Sequence, residues 1–336
     1  MVRLWMGQKF YGLNQELFRK ELGDFIKMNS TFDFRTRFGN RYFPNPIFTA
    51  SGCAGSGKEL SNFFDLKELG ALVTKSIAVR PRSGRATPRM AETPSGMLNS
   101  IGLQGPGIDQ FLEVDIPWLV SKGARIVVSI SGETIEEYAS LARRLRGIEG
   151  LSGVEVNISC PNVENRGQVF ACDPLASRAV VESVRRNMAG DYPMIVKLSP
   201  DVTDIVGIAR EVVSAGADGL ALINTVLGMV IDIDGKRPKL AGITGGLSGP
   251  AIRPIAVRAI YQVHGALPNV PILGMGGVSS GRDALELIYA GASGVSIGTA
   301  TFGNPNAAMT VKNELENLLK EHGFRDLESA IGAAHG

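Results

Sequence analysis

The stretch GADGLALINT, from Gly216 to Thr225, contains one whole unit of the repeat that decides the fold of this chain. Gly216 is the residue type that ends a helix in a left-handed conformation. Residues 220–223 form a short apolar run that is typical of a buried strand. Asn224 and Thr225 then place an amide and a hydroxyl at the end of that strand. One helix end, one strand and one polar strand end therefore follow each other within ten residues.

The same unit occurs eight times along the chain. Short apolar runs, many of them β-branched, lie at residues 46–50, 72–75, 126–130, 154–158, 194–198, 220–223, 272–275 and 295–297. A segment with helical periodicity follows each run. The dipeptide Gly-Ala precedes four of the strands, at residues 70–71, 123–124, 216–217 and 291–292. Eight βα units with a shared turn and no interdomain linker predict an α/β fold, a (β/α)₈ TIM barrel in a single domain.

The N-terminal 28 residues differ from this repeat. Residues 10–26 carry apolar side chains at helical spacing, which predicts an amphipathic helix. We therefore expect a helical extension over residues 1–28 and the barrel domain over residues 29–336. The extension is interpreted as an accessory helix packed on the barrel or as sequence upstream of a native start at Met28. The alternative is a helix that binds a membrane surface or a partner.

Composition excludes several classes of function. The chain has 336 residues, of which 44% are hydrophobic and 20% charged, and its formal net charge of +2 gives no reason to expect nucleic acid as a ligand. No apolar run reaches the roughly 18 residues of a membrane span. Three cysteines without a CxxC pair suit a reducing cytoplasm. The three histidines are absent from every strand end, so neither histidine acid–base chemistry nor a bound metal is expected.

Barrel enzymes carry their chemistry at the carboxyl ends of the strands. Every predicted strand of this chain ends in polar or backbone-exposing residues, namely Ser51-Gly52, Lys75-Ser76, Ser129, Asn157 with Cys160, Lys197, Asn224-Thr225, Gly276-Gly277 and Gly298-Thr299. The two lysines are candidates for a Schiff-base nucleophile or for fixed cations beside an anionic ligand. The glycines after strands 7 and 8 predict a phosphate site made of backbone N–H groups.

Cys160 is the candidate base or nucleophile. It lies in VEVNISCPNV, residues 154–163, where a strand runs into a proline-containing loop. Nearby cations can lower the pKa of a thiol, ordinarily about 8.5, into the range that acid–base chemistry needs. Cys53 and Cys172 fit this role less well.

Two further motifs do not carry the function. GCAGSGKE, residues 52–59, is similar to a P-loop, but Glu59 stands where Ser or Thr holds Mg²⁺. RPRSGRATPR, residues 80–89, has four arginines without interleaved aromatic residues, which predicts a solvated loop or a protein contact rather than nucleic-acid binding.

The chain resembles the class 1 dihydroorotate dehydrogenases over roughly residues 32–327. The motifs TASG, TKSI, MLNSIGLQGPG, VNISCPNV, IVKLSP, INT and GGLSGPAI occur in that order, followed by GMGGV and IGTA. GGLSGPAIRPIAVR and INTVLGMVID resemble the class 1B catalytic subunit more than the fumarate-using class 1A enzymes. Class 2 enzymes have N-terminal membrane helices and a serine base, which Cys160 argues against.

The resemblance implies oxidation of (S)-dihydroorotate to orotate in pyrimidine biosynthesis, with one bound FMN per chain. Cys160 would remove the C5 proton while hydride passes to N5 of FMN. The residues implied in substrate binding are Lys75, Asn99, Ile101, Gly102, Leu103, Asn157, Asn162, Asn224 and Thr225. The residues implied in FMN binding are Ala50, Ser51, Gly52, Lys75, Ser76, Ser129, Asn157, Lys197, Ile223, Gly249, Gly276, Gly277, Gly298 and Thr299. Relatives often carry Asn where this chain has Ser129.

The chain has neither a dinucleotide-binding fingerprint nor cysteine spacing for an iron–sulfur cluster. The class 1B resemblance implies a partner subunit with FAD and a [2Fe–2S] cluster that reduces NAD⁺, in a heterotetramer around a homodimer of this subunit. The arginine loop is a hypothetical contact with that partner. Three alternatives stay open here: a class 1A homodimer that uses fumarate, a Schiff-base aldolase acting on a sugar phosphate, and a non-catalytic barrel in an assembly.

Overall fold

Eight parallel strands form the centre of the protein, for which a computed structural model describes residues 32–158, 170–188 and 192–336. The strands are β1 (Ile47–Thr49), β2 (Leu72–Val73), β3 (Ile126–Ile130), β4 (Leu151–Asn157), β5 (Met194–Lys197), β6 (Gly219–Leu222), β7 (Ile272–Met275) and β8 (Gly294–Ile297). Hydrogen-bonded neighbours follow the order β1-β8-β7-β6-β5-β4-β3-β2, so the strands from β3 to β8 each pair with their predecessor along the chain, and β8 pairs with β1. The predicted (β/α)₈ barrel is confirmed.

The seam between β1 and β2 closes the barrel in an unusual way. Phe48 and Ala71 form a single parallel bridge, and the N–H of Gly70 donates to the carbonyl of Ile47 at 2.7 Å. Beyond this bridge the Thr49 hydroxyl accepts from the Val73 N–H at 2.8 Å and donates to the Val73 carbonyl at 3.0 Å. A side chain therefore takes the place of a backbone partner at the seam.

Helices cover the outside of the barrel after seven of the strands. They are α1 (Ile116–Ser121), α2 (Ile135–Leu145), α3 (Pro174–Asn187), α4 (Ile205–Ser214), α5 (Arg253–Ala266), α6 (Gly281–Ala290) and α7 (Ala307–Glu321). Short helical segments lie at Ile108–Gln110, Phe111–Asp115, Phe170–Cys172, Pro250–Ile252, Ala300–Gly303, Glu328–Ala330 and Ala333–His335. Between β1 and β2 the chain forms two 3₁₀ turns, Leu60–Asn62 and Leu66–Glu68, where the sequence predicts a helix. That local prediction is wrong.

A hairpin closes the amino-terminal end of the barrel. Its strands, Thr36–Phe38 and Arg41–Phe43, pair antiparallel. Phe38 and Phe43 pack edge-to-face with each other and join the buried cluster of barrel residues that includes Phe48. Gly219, the first residue of β6, leaves room for this plug, because a Cβ there would lie 3.0 Å from the Phe38 ring. Access to the interior is therefore from the carboxyl ends of the strands.

A second sheet, which the sequence did not predict, stands at the carboxyl end. Four antiparallel strands lie in the order Val226–Gly228, Gly245–Ser248, Gly96–Asn99 and Met90–Thr93. They come from the connections that follow β2 and β6. A small ribbon of Ile231–Asp232 and Arg237–Pro238 extends the second connection. The sheet brings two distant connections together beside the barrel mouth.

The predicted helical extension over residues 1–28 lies outside the described residues, so its structure and the boundary at residue 28 stay predictions. Residues 34–336 pack as one compact unit. In the described part of the chain, each helix is too short or too polar to pass through a lipid bilayer.

Candidate active site

A cavity of about 600 Å³ opens at the carboxyl ends of the strands. Residues that end or follow every strand except β3 line it, together with the second sheet. The predicted site residues in its wall are Ala50, Ser51, Gly52, Lys75, Ser76, Asn99, Ile101, Gly102, Leu103, Asn157, Lys197, Ile223, Asn224, Thr225, Gly249, Gly276, Gly277, Gly298 and Thr299. The fold therefore gathers into one cavity residues that are spread over 250 positions of the chain.

Among the described residues, one predicted site residue, Ser129, is absent from the wall, and the structure does not describe two others. Cys160 and Asn162 lie outside the described residues. Ser129 is fully buried one hydrogen bond behind the wall, where its hydroxyl lies 2.8 Å from that of Ser76 and donates to Glu155 at 2.7 Å. A direct contact between Ser129 and a cofactor stays a prediction.

Two cations face this cavity. Lys197, at the end of β5, is only 4% exposed and is paired in register with Asn157 of β4. Among the described residues, no carboxylate forms an ion pair with Lys197. Lys75 follows β2, and its N–H donates to the carbonyl of Gly55 at 3.0 Å. A buried ammonium group is costly without an anion, so Lys197 favours an anionic ligand in this cavity.

Cys53 also lines the cavity, although it was not among the predicted site residues. A Cβ at Gly298 would lie 3.4 Å from its sulfur, so Cys53 sits beside the end of β8. Burial raises the pKa of the Cys53 thiol, and the charges of Lys197 and Lys75 lower it by less. The thiol is therefore held protonated, which suits wall packing better than proton abstraction. Its position shortly after the end of β1 could have predicted that Cys53 lines the cavity.

The turns after β7 and β8 form a cradle of backbone groups. In the described part of the chain, the N–H groups of Gly277 and Thr299 have no acceptor. Gly277 has a φ of 73°, and a Cβ there would lie 2.8 Å from the Gly249 carbonyl oxygen. Ser248, which the sequence did not predict, accepts from the Thr299 hydroxyl at 2.8 Å. Free N–H groups beside small residues fit a phosphate group, and with Lys197 they fit a flavin nucleotide.

Amide side chains from three parts of the fold also line the cavity, and we call them the amide wall. The Asn99 amide donates to the Gly246 carbonyl at 3.3 Å, and the Asn157 amide donates to the Ser76 hydroxyl at 3.1 Å. The Asn224 amide oxygen accepts from the Thr225 N–H at 2.9 Å. Amides that are held in this way offer fixed donors and acceptors to a flat heterocyclic ligand.

The arginine loop supports the segment of the wall that contains Ile101, Gly102 and Leu103. The Arg85 N–H donates to the Ile101 carbonyl at 3.0 Å, and Arg89 donates to the Gln104 side chain at 2.7 Å. Arg82 pairs with Glu133 at 2.5 Å. Three of the four arginines thus bond within the chain, whereas the sequence predicted solvent or a protein partner. A partner contact through this loop stays a prediction.

Comparisons with known proteins agree with this site. Residues 34–319 match the family model described as dihydroorotate dehydrogenase. The chain is 49% identical over 289 residues to the dihydroorotate dehydrogenase B (NAD(+)) catalytic subunit of Geobacter sp. strain M21, covering 86% of this chain and 94% of the relative. It is 50% identical over 291 residues to the protein of the same name from Desulforudis audaxviator, covering 87% and 94%. The similarity confirms the resemblance predicted from the motifs, and the chain belongs to the dihydroorotate dehydrogenase family.

Proposed function

We propose that this chain oxidises (S)-dihydroorotate to orotate in pyrimidine biosynthesis, as the catalytic subunit of an NAD-linked enzyme. The observation that carries the proposal is the single cavity that contains every described residue predicted for substrate binding. The names of its relatives, which are catalytic subunits of dihydroorotate dehydrogenase B (NAD(+)), support the same activity.

FMN is the proposed cofactor, one per chain. When bound, FMN supplies a ring that accepts hydride from the substrate. Gly249, Gly276, Gly277 and Thr299 would hold its phosphate through backbone groups. Lys197 would face the edge of its ring, where a fixed cation favours the negative charge that reduction creates. The support for this assignment is that, among the described residues, two N–H groups of the cradle have no acceptor and the buried Lys197 has no carboxylate partner.

The amide wall is the proposed substrate site. Asn99, Asn157, Asn224 and Thr225 would hydrogen-bond the pyrimidine ring and its carboxylate, and Asn162 would join them from the loop after β4. Lys75 would pair with the carboxylate. The main chain of residues 101–103 would bind the substrate from the segment that the arginine loop supports. This set combines a cation for the carboxylate with amides for the ring.

Cys160 is the proposed base that removes the C5 proton of dihydroorotate. It follows the end of β4 by three residues, so its loop begins at the cavity wall where Asn157 lies. The lysines at this mouth favour a thiolate. The raised pKa of Cys53 supports this choice between the two thiols nearest to strand ends.

A partner subunit is the proposed electron acceptor. Because relatives are named catalytic subunits, a second subunit is expected, and we assign to it FAD, a [2Fe–2S] cluster and the reduction of NAD⁺. The proposed assembly is a heterotetramer around a homodimer of this chain, in the cytoplasm. Rapid oxidation of the reduced chain by fumarate without a partner would contradict this assignment and favour the class 1A alternative.

The experiment that tests the activity is an anaerobic visible spectrum of the purified chain before and after addition of dihydroorotate. We expect a flavin spectrum that bleaches in the wild type and does not bleach in Cys160→Ala. A flavin that stays oxidised in the wild type would contradict the assigned substrate. A colourless chain that takes up no FMN, and that borohydride links to a sugar phosphate, would establish the aldolase instead.

A further inference from the structure

A carboxyl group is buried inside the barrel below the cavity. Glu155 of β4 is 1% exposed and is paired in register with Ile195, a member of the apolar barrel core. One of its oxygens accepts from the Ser129 hydroxyl at 2.7 Å. The other oxygen has no hydrogen-bond partner among the described residues. A buried charge with so little compensation is costly, and such departures concentrate at functional sites.

A chain of hydrogen bonds connects Glu155 to the cavity wall. The Ser129 hydroxyl lies 2.8 Å from the Ser76 hydroxyl, which lies 3.2 Å from the Ser51 hydroxyl. The Asn157 amide nitrogen donates to the same Ser76 hydroxyl at 3.1 Å. Ser51, Ser76 and Asn157 line the cavity. The buried carboxylate is thus three hydrogen bonds away from two groups that can touch a ligand.

The direction of each bond in this chain follows from its buried end. A carboxylate has no hydrogen to donate, so Ser129 must donate to Glu155. Ser129 has then spent its only hydrogen, and it must accept from Ser76. Ser76 in turn accepts from Ser51 and from the nitrogen of Asn157. Because the amide nitrogen of Asn157 is directed at Ser76, its amide oxygen points away from Ser76. The Ser51 hydroxyl uses its hydrogen on Ser76 and keeps its lone pairs for the cavity.

We infer that Glu155 is a positioning residue for ring binding: through Ser129 and Ser76 it makes Ser51 and Asn157 present acceptors to ligand N–H groups. This inference rests on the proposed function, because the flavin and dihydropyrimidine rings both carry N–H donors. Without the carboxylate, nothing fixes the direction of the Ser76–Ser129 bond, so Ser129 can donate to Ser76 instead of accepting from it, and the chain can reverse. Asn157 would then turn its nitrogen toward a ligand whose N–H needs an oxygen.

A purely electrostatic role for Glu155 makes a different prediction. Lys197 lies on the neighbouring strand, so the carboxylate could simply offset a buried cation without orienting any side chain. Removing Ser129 separates the two roles. Ser129→Ala keeps the charge of Glu155 but breaks the chain between Glu155 and Ser76. A charge-compensating carboxylate would tolerate that change, whereas a positioning carboxylate would not.

The test titrates FMN-loaded protein with orotate and follows the flavin absorbance. The variants are Glu155→Met, which keeps the side-chain length, Ser129→Ala, and the double variant. Ser131→Ala is the matched control, since the Ser131 hydroxyl is equally buried, has no partner among the described residues and is absent from the cavity wall. We expect each single variant to weaken orotate binding about tenfold, the worth of one misdirected hydrogen bond. The double variant should bind orotate no more weakly than either single variant, because both substitutions interrupt the same chain of hydrogen bonds.

In steady-state assays the same variants should raise KM for dihydroorotate more than they lower kcat. If Glu155→Met does not fold, the comparison of Ser129→Ala with Ser131→Ala decides alone. Wild-type affinity in Ser129→Ala, or additive losses in the double variant, would overturn the inference while leaving the proposed function intact. A wild-type protein that does not bind orotate would overturn the proposed function and this inference with it.

Discussion

At the scale of single residues, we propose opposite roles for the two cysteines that follow β1 and β4. Cys53 is in the cavity wall beside Gly298, and burial raises the pKa of its thiol. Cys160 follows β4 and is the proposed base. A base must lose its proton near neutral pH, and Cys53 does not meet that condition.

We therefore expect Cys53→Ala to keep kcat within about threefold of the wild type, whereas Cys160→Ala should lose about 10²- to 10⁴-fold, the usual contribution of a general base. The measurement is the rate of flavin reduction by dihydroorotate for both variants. Equal losses in the two variants would contradict the assignment of Cys160.

The pH dependence of stability gives a second test of the protonated state of Cys53. Because folding raises the pKa of Cys53, the folded protein holds that proton more tightly than the unfolded chain does. This contribution is complete below the ordinary pKa of the thiol and is lost as pH rises through the raised value. Denaturation at neutral and at alkaline pH should show the wild type losing more stability than Cys53→Ala at the alkaline value. The same loss in both would contradict a buried, protonated Cys53.

At the scale of elements, we expect the turn after β7 to control cofactor binding through one glycine. Gly277 combines a φ of 73° with backbone on two sides, since an added Cβ would lie 2.8 Å from the Gly249 carbonyl oxygen and 3.1 Å from the Pro250 Cα. We expect Gly277→Ala to raise the dissociation constant of FMN at least about tenfold, because the cradle must open to admit the methyl group. FMN titration of the apoprotein measures it.

Gly123 supplies the matched control for this substitution. It has a similar φ of 65°, but an added Cβ there meets nothing within 4 Å. Gly123→Ala therefore shares the conformational strain and lacks the collision. It should lose some stability through that strain, no more than Gly277→Ala does, and keep normal FMN affinity. Weaker FMN binding in both variants would mean that general destabilisation, not the cradle, causes the effect.

The elements also show what the sequence could predict. Strand ends could be found, because each βα unit repeats one local pattern of apolar run and polar end. The helix predicted between β1 and β2 is absent because Gly52, Gly55 and Gly57 all have positive φ. The second sheet could not be predicted for two reasons. Its strands pair over a long distance, since Asn99 and Gly246 are 147 positions apart, and the strand Gly245–Ser248 has the composition of a turn, GGLS.

The burial of Glu155 could not be predicted from the sequence either. A glutamate between two valines has the pattern of a strand with one solvent-facing side chain. Its burial depends on Ser129, a residue of the neighbouring strand, and on closure of the sheet into a barrel. Pairings of this kind are set by tertiary structure. The sequence could therefore predict the residues at strand ends. It could not predict buried residues such as Glu155 that hydrogen-bond behind the cavity wall.

At the scale of the whole molecule, stability and chemistry lie at opposite ends of the barrel. The plug of Phe38, Phe43 and Phe48 fills the amino-terminal end, and the second sheet adds wall to the open end. The seam between β1 and β2 connects the two, because Ser51 follows β1, and Lys75 and Ser76 follow β2. Loosening the seam should therefore affect both stability and ligand binding.

Thr49 allows a direct test of this connection. Thr49→Val keeps the shape of the side chain but removes the hydroxyl, which leaves the buried N–H and carbonyl of Val73 without the partners they have now. Two unpaired groups should lower the free energy of unfolding by about 2–4 kcal/mol. Thr49→Ser is the control, since it keeps the hydroxyl and loses only a methyl group, at a cost of about 1 kcal/mol. Chemical denaturation of the FMN-loaded proteins measures both.

The same pair of variants should differ in ligand binding. The Ser51 and Ser76 hydroxyls lie 3.2 Å apart, and these residues follow β1 and β2, so their separation depends on how tightly the two strands are joined. We expect Thr49→Val, and not Thr49→Ser, to bind orotate more weakly than the wild type. A Thr49→Val protein as stable as Thr49→Ser would show that water replaces the hydroxyl at the seam. Loss of stability with unchanged orotate affinity would show instead that the second sheet holds the open end together without help from the seam.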